Sequence, residues 1–362
     1  MTQPVEARTV AIGLQGGGSH CAFSWGVLDE LLELVDQGEL RVAAISGASG
    51  GALNAAICAY GLRNGAKEAQ ELLRTFWLSV SEQSLWPENP MRNLFPEDAP
   101  VRWNVDLDPL AISFGMAEQI TSPYLNPWGS QNILQPLLAN VIPDFKVFAL
   151  PQDHGPKLFI SATAVDRIAL RIFGPQEITI DALLASACLP TFLKAVTIDG
   201  TPYWDGGYLA NPALNPLLDY SDDLLTILVD PLNVKGGPPM MPRQIVNRIN
   251  EVSFNASWIL EIRQIGLINM LCKEGLLQSP KYKEKRLHLI RNDEFMEAIG
   301  ATSKIVPSRD FLLALHQEGR KTAKRWIEEN FSKIGVSSSF DVNSEIAPRL
   351  KGSHTAVAQL RS

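Results

Sequence analysis

The stretch from Val42 to Ala56, VAAISGASGGALNAA, constrains this chain more than any other. It starts as a short apolar run, the pattern of a buried strand, and ends in small helix formers that continue through Ile57, Cys58 and Ala59. Between the two lies Gly47-x-Ser49-x-Gly51. A strand that turns sharply into a helix strains its apex residue and crowds the neighbours, which must be glycine or very small. Gly47, Ala48, Gly50 and Gly51 all meet that demand. Ser49 at the apex would stand at the carboxyl edge of a sheet, over a helix N-terminus whose free N–H groups favour developing negative charge. A serine so placed reads as a nucleophile. The alternative is a tight glycine-rich turn with a surface serine.

The segment before it has the same order. Thr9–Leu14 is a short strand that runs into Gln15-Gly16-Gly17-Gly18-Ser19, and a helix follows with Phe23, Val27, Leu28, Leu31 and Leu32 on one face and Gly38 as its stop. Consecutive strand–helix units predict a mainly parallel sheet with helices on both faces, and ligands sit at the carboxyl ends of its strands. The glycine loop does not fit a dinucleotide site. G-x-G-x-x-G is out of register from Gly13, and from Gly16 its last position is Cys21. Three adjacent glycines instead let successive backbone N–H groups converge on one point, an anion nest that beside a nucleophile becomes an oxyanion hole.

Farther on, a helix is expected over 68–80, and then the texture changes. Residues 84–130 hold seven prolines and Trp86, Trp103 and Trp128, with Phe95, Phe114 and Tyr124, a stretch too broken for one regular element. It reads either as an excursion packing its aromatics on the body or as a lid or apolar collar around Ser49. Lys157–Val165 and Leu224–Val229 are buried strands, 180–189 is a helix stopped by Pro190, and Asp199-Gly200 is a type I′ hairpin signal. Residues 242–278 are mainly helical, Arg286–Ile290 is a strand, and Ser308 caps a helix to about Phe331. The expected organisation is a catalytic domain over 9–232, a mainly helical extension over 233–335 packed on the same body, and a loose polar tail over 336–362.

Composition narrows the function classes. A net charge of -7 without a dense basic patch gives no reason to expect nucleic acid as a partner. No apolar run approaches the roughly 18–20 residues of a membrane span, and the N-terminus lacks the build of a signal peptide, so a cytoplasmic location is expected. Cys21, Cys58, Cys188 and Cys272 lie far apart in apolar segments and read as buried thiols, with no metal-ligand spacing.

A serine hydroxyl needs a base. Of the five histidines, His20 borders the glycine loop, while His154, His288, His316 and His354 sit in no late loop of the kind a Ser–His–acid triad uses. Asp205 is the better candidate. It ends an aromatic strand, and Gly206 and Gly207 keep the backbone tight around its carboxylate. A plain Asp–Gly turn is the competing reading, but Asp199-Gly200 already supplies a turn six residues earlier.

Taken together, Gly16-Gly17-Gly18, Gly47-Ala48-Ser49-Gly50-Gly51 and Asp205-Gly206-Gly207 resemble the patatin-like phospholipases. Ala185-Ser186-Ala187-Cys188-Leu189-Pro190 resembles the small-residue helix that the family places before its aspartate, and the likeness covers about 9–232. It implies a three-layer α/β/α sandwich, Ser49 as nucleophile, Asp205 as base without a histidine, and Gly16–Gly18 as oxyanion donors. The implied activity is hydrolysis of lipid acyl esters, of the phospholipase A or lysophospholipase kind, by a protein in peripheral contact with membranes or lipid aggregates. No cofactor or metal is implied. The same dyad could serve a soluble esterase, a thioesterase or an acyltransferase, and the fold could carry a catalytically silent lipid-binding protein. Two positions depart from the family pattern: His20 stands where Arg or Lys is usual, and Cys21 where Gly is.

Overall fold

A computed structural model of the chain describes residues 7–84, 90–106, 108–113, 122–125, 133–151, 155–235, 237–240 and 242–346. The chain opens with β1 (Arg8–Leu14), α1 (Cys21–Asp36), β2 (Leu40–Gly47), α2 (Gly50–Gly61) and α3 (Ala66–Glu82). After α4 (Leu134–Val141) come β3 (Lys157–Ala164), β4 (Ala169–Phe173), α5 (Ile180–Ser186), β5 (Val196–Ile198), β6 (Thr201–Asp205) and β7 (Asp223–Ile227). The remainder is α6 (Pro242–Lys273), β8 (Arg286–Ile290), α7 (Asp293–Ile299), α8 (Arg309–Asn330) and the short α9 (Val342–Glu345).

All eight strands form one sheet in the order β5-β6-β3-β2-β1-β7-β8, with β4 also paired to β3. From β3 through β2, β1 and β7 to β8 the pairing is parallel, while β4, β5 and β6 are antiparallel. Alternation along the strands separates two cores. Val10, Ile12, Leu14, Ile45, Leu225 and Ile227 point to one side with α1, α2 and α3. Ala11, Ala44 and Leu224 point to the other, against Trp258, Ile262 and Ile265 of α6. Successive side chains of a strand face opposite ways, so a sheet buried on both faces needs apolar residues at both phases. The outcome is the expected three-layer sandwich. The hairpin at Asp199-Gly200 has positive φ at both residues (49° and 76°), as a type I′ turn requires.

The C-terminal region is built into this body. β8 extends the sheet beside β7, and α8 lies along α1 with backbone nearly touching backbone. A Cβ on Gly26 would lie 1.9 Å from the His316 carbonyl oxygen, and one on Gly319 would lie 2.0 Å from that of Phe23. Trp25 stacks on His316 at 3.8 Å, and His316 Nε2 lies 2.7 Å from Asp29 Oδ2. The tail expected to be loose docks as far as the structure describes it. The Ser338 and Ser339 hydroxyls reach β8, and Phe340 and Ile346 are buried against α6. Cys272 is partly exposed, unlike the three buried cysteines. In the aromatic-rich excursion, Trp103 is half-buried and packs on Phe311 of α8 at 5.6 Å. Trp86, Phe114 and Trp128 lie outside the described residues. No helix among the described residues is long and apolar enough to cross a membrane.

Candidate active site

Ser49 occupies the sharp turn between β2 and α2, with φ 53° and ψ -132°. Positive φ is rare for a residue with a side chain and costs on the order of 1–3 kcal/mol, so the surroundings must hold it there. They do so through small contacts. A Cβ on Gly47 would meet the Gly51 carbonyl oxygen at 2.5 Å, and one on Gly51 the Leu14 carbonyl oxygen at 2.4 Å. The Ser49 N–H donates to Ser186 Oγ at 3.0 Å, and Ser49 is only 6% exposed. Gly50 opens α2, so its N–H lies at a helix N-terminus beside the serine.

The glycine loop lies directly on this turn. A Cβ on Gly16 would fall 2.5 Å from the Ala48 carbonyl oxygen and 2.6 Å from Ser49 Cβ. The three glycines are not equivalent. The Gly16 N–H donates to Asn211 Oδ1 at 2.7 Å, and Asn211 Nδ2 donates back to the Gly16 carbonyl at 3.4 Å. The Gly16 amide is therefore committed to a protein acceptor and is not available to an oxyanion, contrary to the expectation for all three. The Gly17 N–H is turned toward the Cys21 sulfur, a weak acceptor, while the Gly18 N–H has no acceptor among the described residues and Gly18 holds a φ of 58°. Gln15 anchors the loop from below. Its Oε1 accepts the Val229 and Asp230 N–H groups at 2.8 Å each, and its Nε2 donates to Asn255 at 2.9 Å.

Asp205 ends β6 fully buried. Burial pushes its carboxyl up from 3.8 to about 7, against the Gly207 N–H and the Ser49 hydroxyl, which both pull it down. The Gly207 N–H donates to Oδ1 at 2.7 Å, while Oδ2 receives no hydrogen bond of regular geometry. Ser49 and Asp205 are thus within electrostatic reach of one another, both buried, although they lie 156 residues apart in sequence. Strand β3 brings them together. Thr163 Oγ1 donates to the Asp205 carbonyl at 2.8 Å, and Ser161 Oγ reaches the carbonyls of Ala210 and Gly47 at 3.0 and 3.3 Å. A Cβ on Gly206 would lie 2.1 Å from the Ser161 carbonyl oxygen, which explains the glycine after the aspartate.

The histidines are engaged elsewhere. His288 Nε2 lies 3.0 Å from Asp223 Oδ1, in the β7–β8 pair, and His316 faces Asp29 between α1 and α8. His20 is buried beside the glycine loop, its Nε2 2.7 Å from Ser303 Oγ. Burial and then the Lys304 charge lower its pKa well below 6.5, so it is neutral. His154 and His354 lie outside the described residues. Cys21 fits because Gly50 has no side chain: a Cβ there would lie 2.8 Å from Cys21 Sγ. Burial also pushes the Cys21 thiol far up and the Cys188 thiol to about 11, so neither presents a thiolate to the site.

Asn211, Ser161, Thr163, Ser186 and Gln15 hold the site and carry no role in the sequence reading above. A signal existed for two of them. Ser161 and Thr163 are polar residues at one phase of an otherwise apolar strand, where a buried hydroxyl must find a partner. Asn211 had no comparable local mark.

A two-core α/β/α sandwich with a strained serine at the carboxyl edge of its sheet defines the class of this protein. The family model described as patatin-like phospholipase matches residues 13–218, more than half of the chain, and the chain belongs to that family. Among solved structures it is similar to VipD from Legionella pneumophila, at 14% identity and a TM-score of 0.38, covering 98% of this chain and 75% of that one. It is also similar to ExoU from the type III secretion system of Pseudomonas aeruginosa, solved with SpcU, at 13% identity and a TM-score of 0.32. That match covers 98% of this chain and 61% of ExoU. A comparison with curated proteins found no match. Membership supports lipid hydrolysis at the level of the family.

Proposed function

We propose that the chain cleaves acyl esters of lipids through a Ser49–Asp205 dyad and an acyl-enzyme intermediate. Asp205 accepts the Ser49 proton as Oγ attacks the acyl carbonyl carbon. The carbonyl oxygen becomes an oxyanion received by the N–H groups of Gly17 and Gly18 and by that of Gly50 at the start of α2. The tetrahedral intermediate collapses, the proton on Asp205 passes to the leaving alcohol, and the acyl group remains on Ser49. Water then repeats the sequence, with Asp205 as base, and releases the fatty acid. Gly16 has a different part here: bonded to Asn211, it sets the direction of the two amides that follow.

The observation that carries this reading is the buried Asp205 carboxyl, with a pKa of about 7, beside a serine held at positive φ. An exposed carboxylate is too weak a base for a serine hydroxyl, and burial removes that objection. Peripheral contact with the lipid aggregate is proposed for the exposed apolar residues of the excursion. Tyr124 and Leu125 are 59% and 86% exposed, and the Tyr124 hydroxyl accepts the Ala195 N–H at 3.1 Å, just before β5. The test is labelling by a fluorophosphonate followed by peptide mapping, with hydrolysis of a short ester and of phospholipid vesicles. Label on Ser49, and loss of both label and hydrolysis in Ser49→Ala, are expected. A folded Ser49→Ala at wild-type rate would refute the assignment.

A further inference from the structure

We propose that Lys304, which lies outside the region matched by the family model, keeps the oxyanion site electrostatically neutral by cancelling the buried carboxylate of Asp230. The inference rests on the Ser49–Asp205 reading and adds a positioning residue to it.

Asp230 follows β7 at the carboxyl edge of the sheet and is 1% exposed. Its N–H and that of Val229 are both held by Gln15, the residue before Gly16. A Cβ on Gly17 would lie 2.7 Å from Val229 Cγ2, so this strand end abuts the amides assigned to the oxyanion. Cys21, whose sulfur overhangs Gly50, feels the charges of both Asp230 and Asp205. A second carboxylate is therefore buried close to the point where negative charge develops.

Neither Asp230 oxygen receives a hydrogen bond of regular geometry, and both are shut off from solvent. What offsets the charge is Lys304 Nζ, 2.5 Å from Oδ1 and mostly buried. The lysine reaches this point because its own backbone lies on the loop: a Cβ on Gly18 would be 2.5 Å from the Lys304 carbonyl oxygen. The neighbouring Ser303 hydroxyl holds His20. His20 is neutral and brings no charge of its own. Glu251, the other carboxylate under the influence of Lys304, is paired with Arg248 at 2.9 Å. Without the lysine, an anion at Asp230 would repel the oxyanion in a dry site, where charges act with little screening. Ground-state binding of an uncharged ester would change little, so the effect belongs to kcat.

The experiment measures kcat and KM on a short, uncharged soluble ester for Lys304→Met, Asp230→Asn and the two combined, each with a melting temperature. Lys304→Met should lower kcat by roughly tenfold or more with little change in KM, because the lost interaction is one made in the transition state. Adding Asp230→Asn should recover most of that loss, and Asp230→Asn alone should be at least as fast as wild type. A structural clamp predicts the opposite pattern, with the combined variant no better than Lys304→Met and Asp230→Asn also slow. Wild-type kcat in Lys304→Met, or a folded but slow Asp230→Asn, overturns the inference. If Lys304→Met fails to fold, the other two variants decide by the same criteria. Ser49→Ala is run in parallel: if it retains the wild-type rate, the dyad reading has failed, whereas an inactive Ser49→Ala beside a fast Lys304→Met refutes only the part played by Lys304.

Discussion

Replacing Asp205 by Asn should inactivate the protein and at the same time stabilise it, by an amount that depends on pH. The carboxyl moves from 3.8 to about 7 on folding because it is fully buried. At 1.36 kcal/mol per pKa unit, this corresponds to about 4 kcal/mol by which the ionised form disfavours the fold. The sign follows from proton binding. Below pH 3.8 the carboxyl is neutral in both states and the penalty is absent; between 3.8 and about 7 it grows; above about 7 it is complete. Asn keeps an oxygen for the Gly207 N–H and carries no charge, so it escapes the penalty, less what its amide group loses by burial without partners. We expect Asp205→Asn to gain about 4 kcal/mol on wild type between pH 4 and pH 8, starting up to about 2 kcal/mol below it near pH 4 and ending roughly 1–3 kcal/mol above it at pH 8. Urea unfolding followed by tryptophan fluorescence at pH 5, 6, 7 and 8 measures the difference. In wild type, kcat/KM should rise about tenfold per pH unit up to a plateau beginning near 7, as the base deprotonates. The variant should lose at least ~10²-fold in kcat. An Asp205→Asn protein that is less stable than wild type by the same amount at every pH would show that no strained carboxylate exists there, and the argument for Asp205 as base would collapse.

Two further predictions concern the oxyanion loop and the lipid surface. Asn211→Ala removes the acceptor of the Gly16 N–H, and kcat should fall about 10- to 100-fold with a matching drop in the fluorophosphonate labelling rate. Unchanged kcat would mean that the loop holds itself. Leu125→Glu places a charge on a residue that is 86% exposed, and should reduce hydrolysis of vesicle phospholipid several-fold while leaving a short soluble ester and the melting temperature untouched. Equal loss on both substrates would return this segment to a structural part.

The local elements of the site were legible in the sequence because local sterics dictate them. Only glycine or alanine fits around a serine at the strand-to-helix turn, and the three-glycine loop and the Asp–Gly–Gly turn carry their conformational needs in their own composition. Consecutive strand–helix units announced a sheet covered on both faces, and the near-continuous apolar runs of Val10–Leu14 and Leu224–Ile227 fill both of its cores. The local setting of Asp205 and the lack of a suitably placed histidine singled out Ser49 and Asp205 as the candidate pair. Tertiary structure alone decided the charges and the hydrogen-bond partners. That the Asp205 carboxyl is fully buried and raised to about 7 depends on what packs over it, and a carboxyl's surroundings are not written beside it in the chain. That Gly16 spends its amide on Asn211 depends on a loop 195 residues away. The C-terminal region could be recognised as helices and a strand, yet its close contact with the glycine loop through Ser303 and Lys304 could not. Helical periodicity tells which face is buried and says nothing about which distant backbone it meets. That meeting is set by the close approach of Gly26 and Gly319, where two helices come together because neither has a side chain to keep them apart.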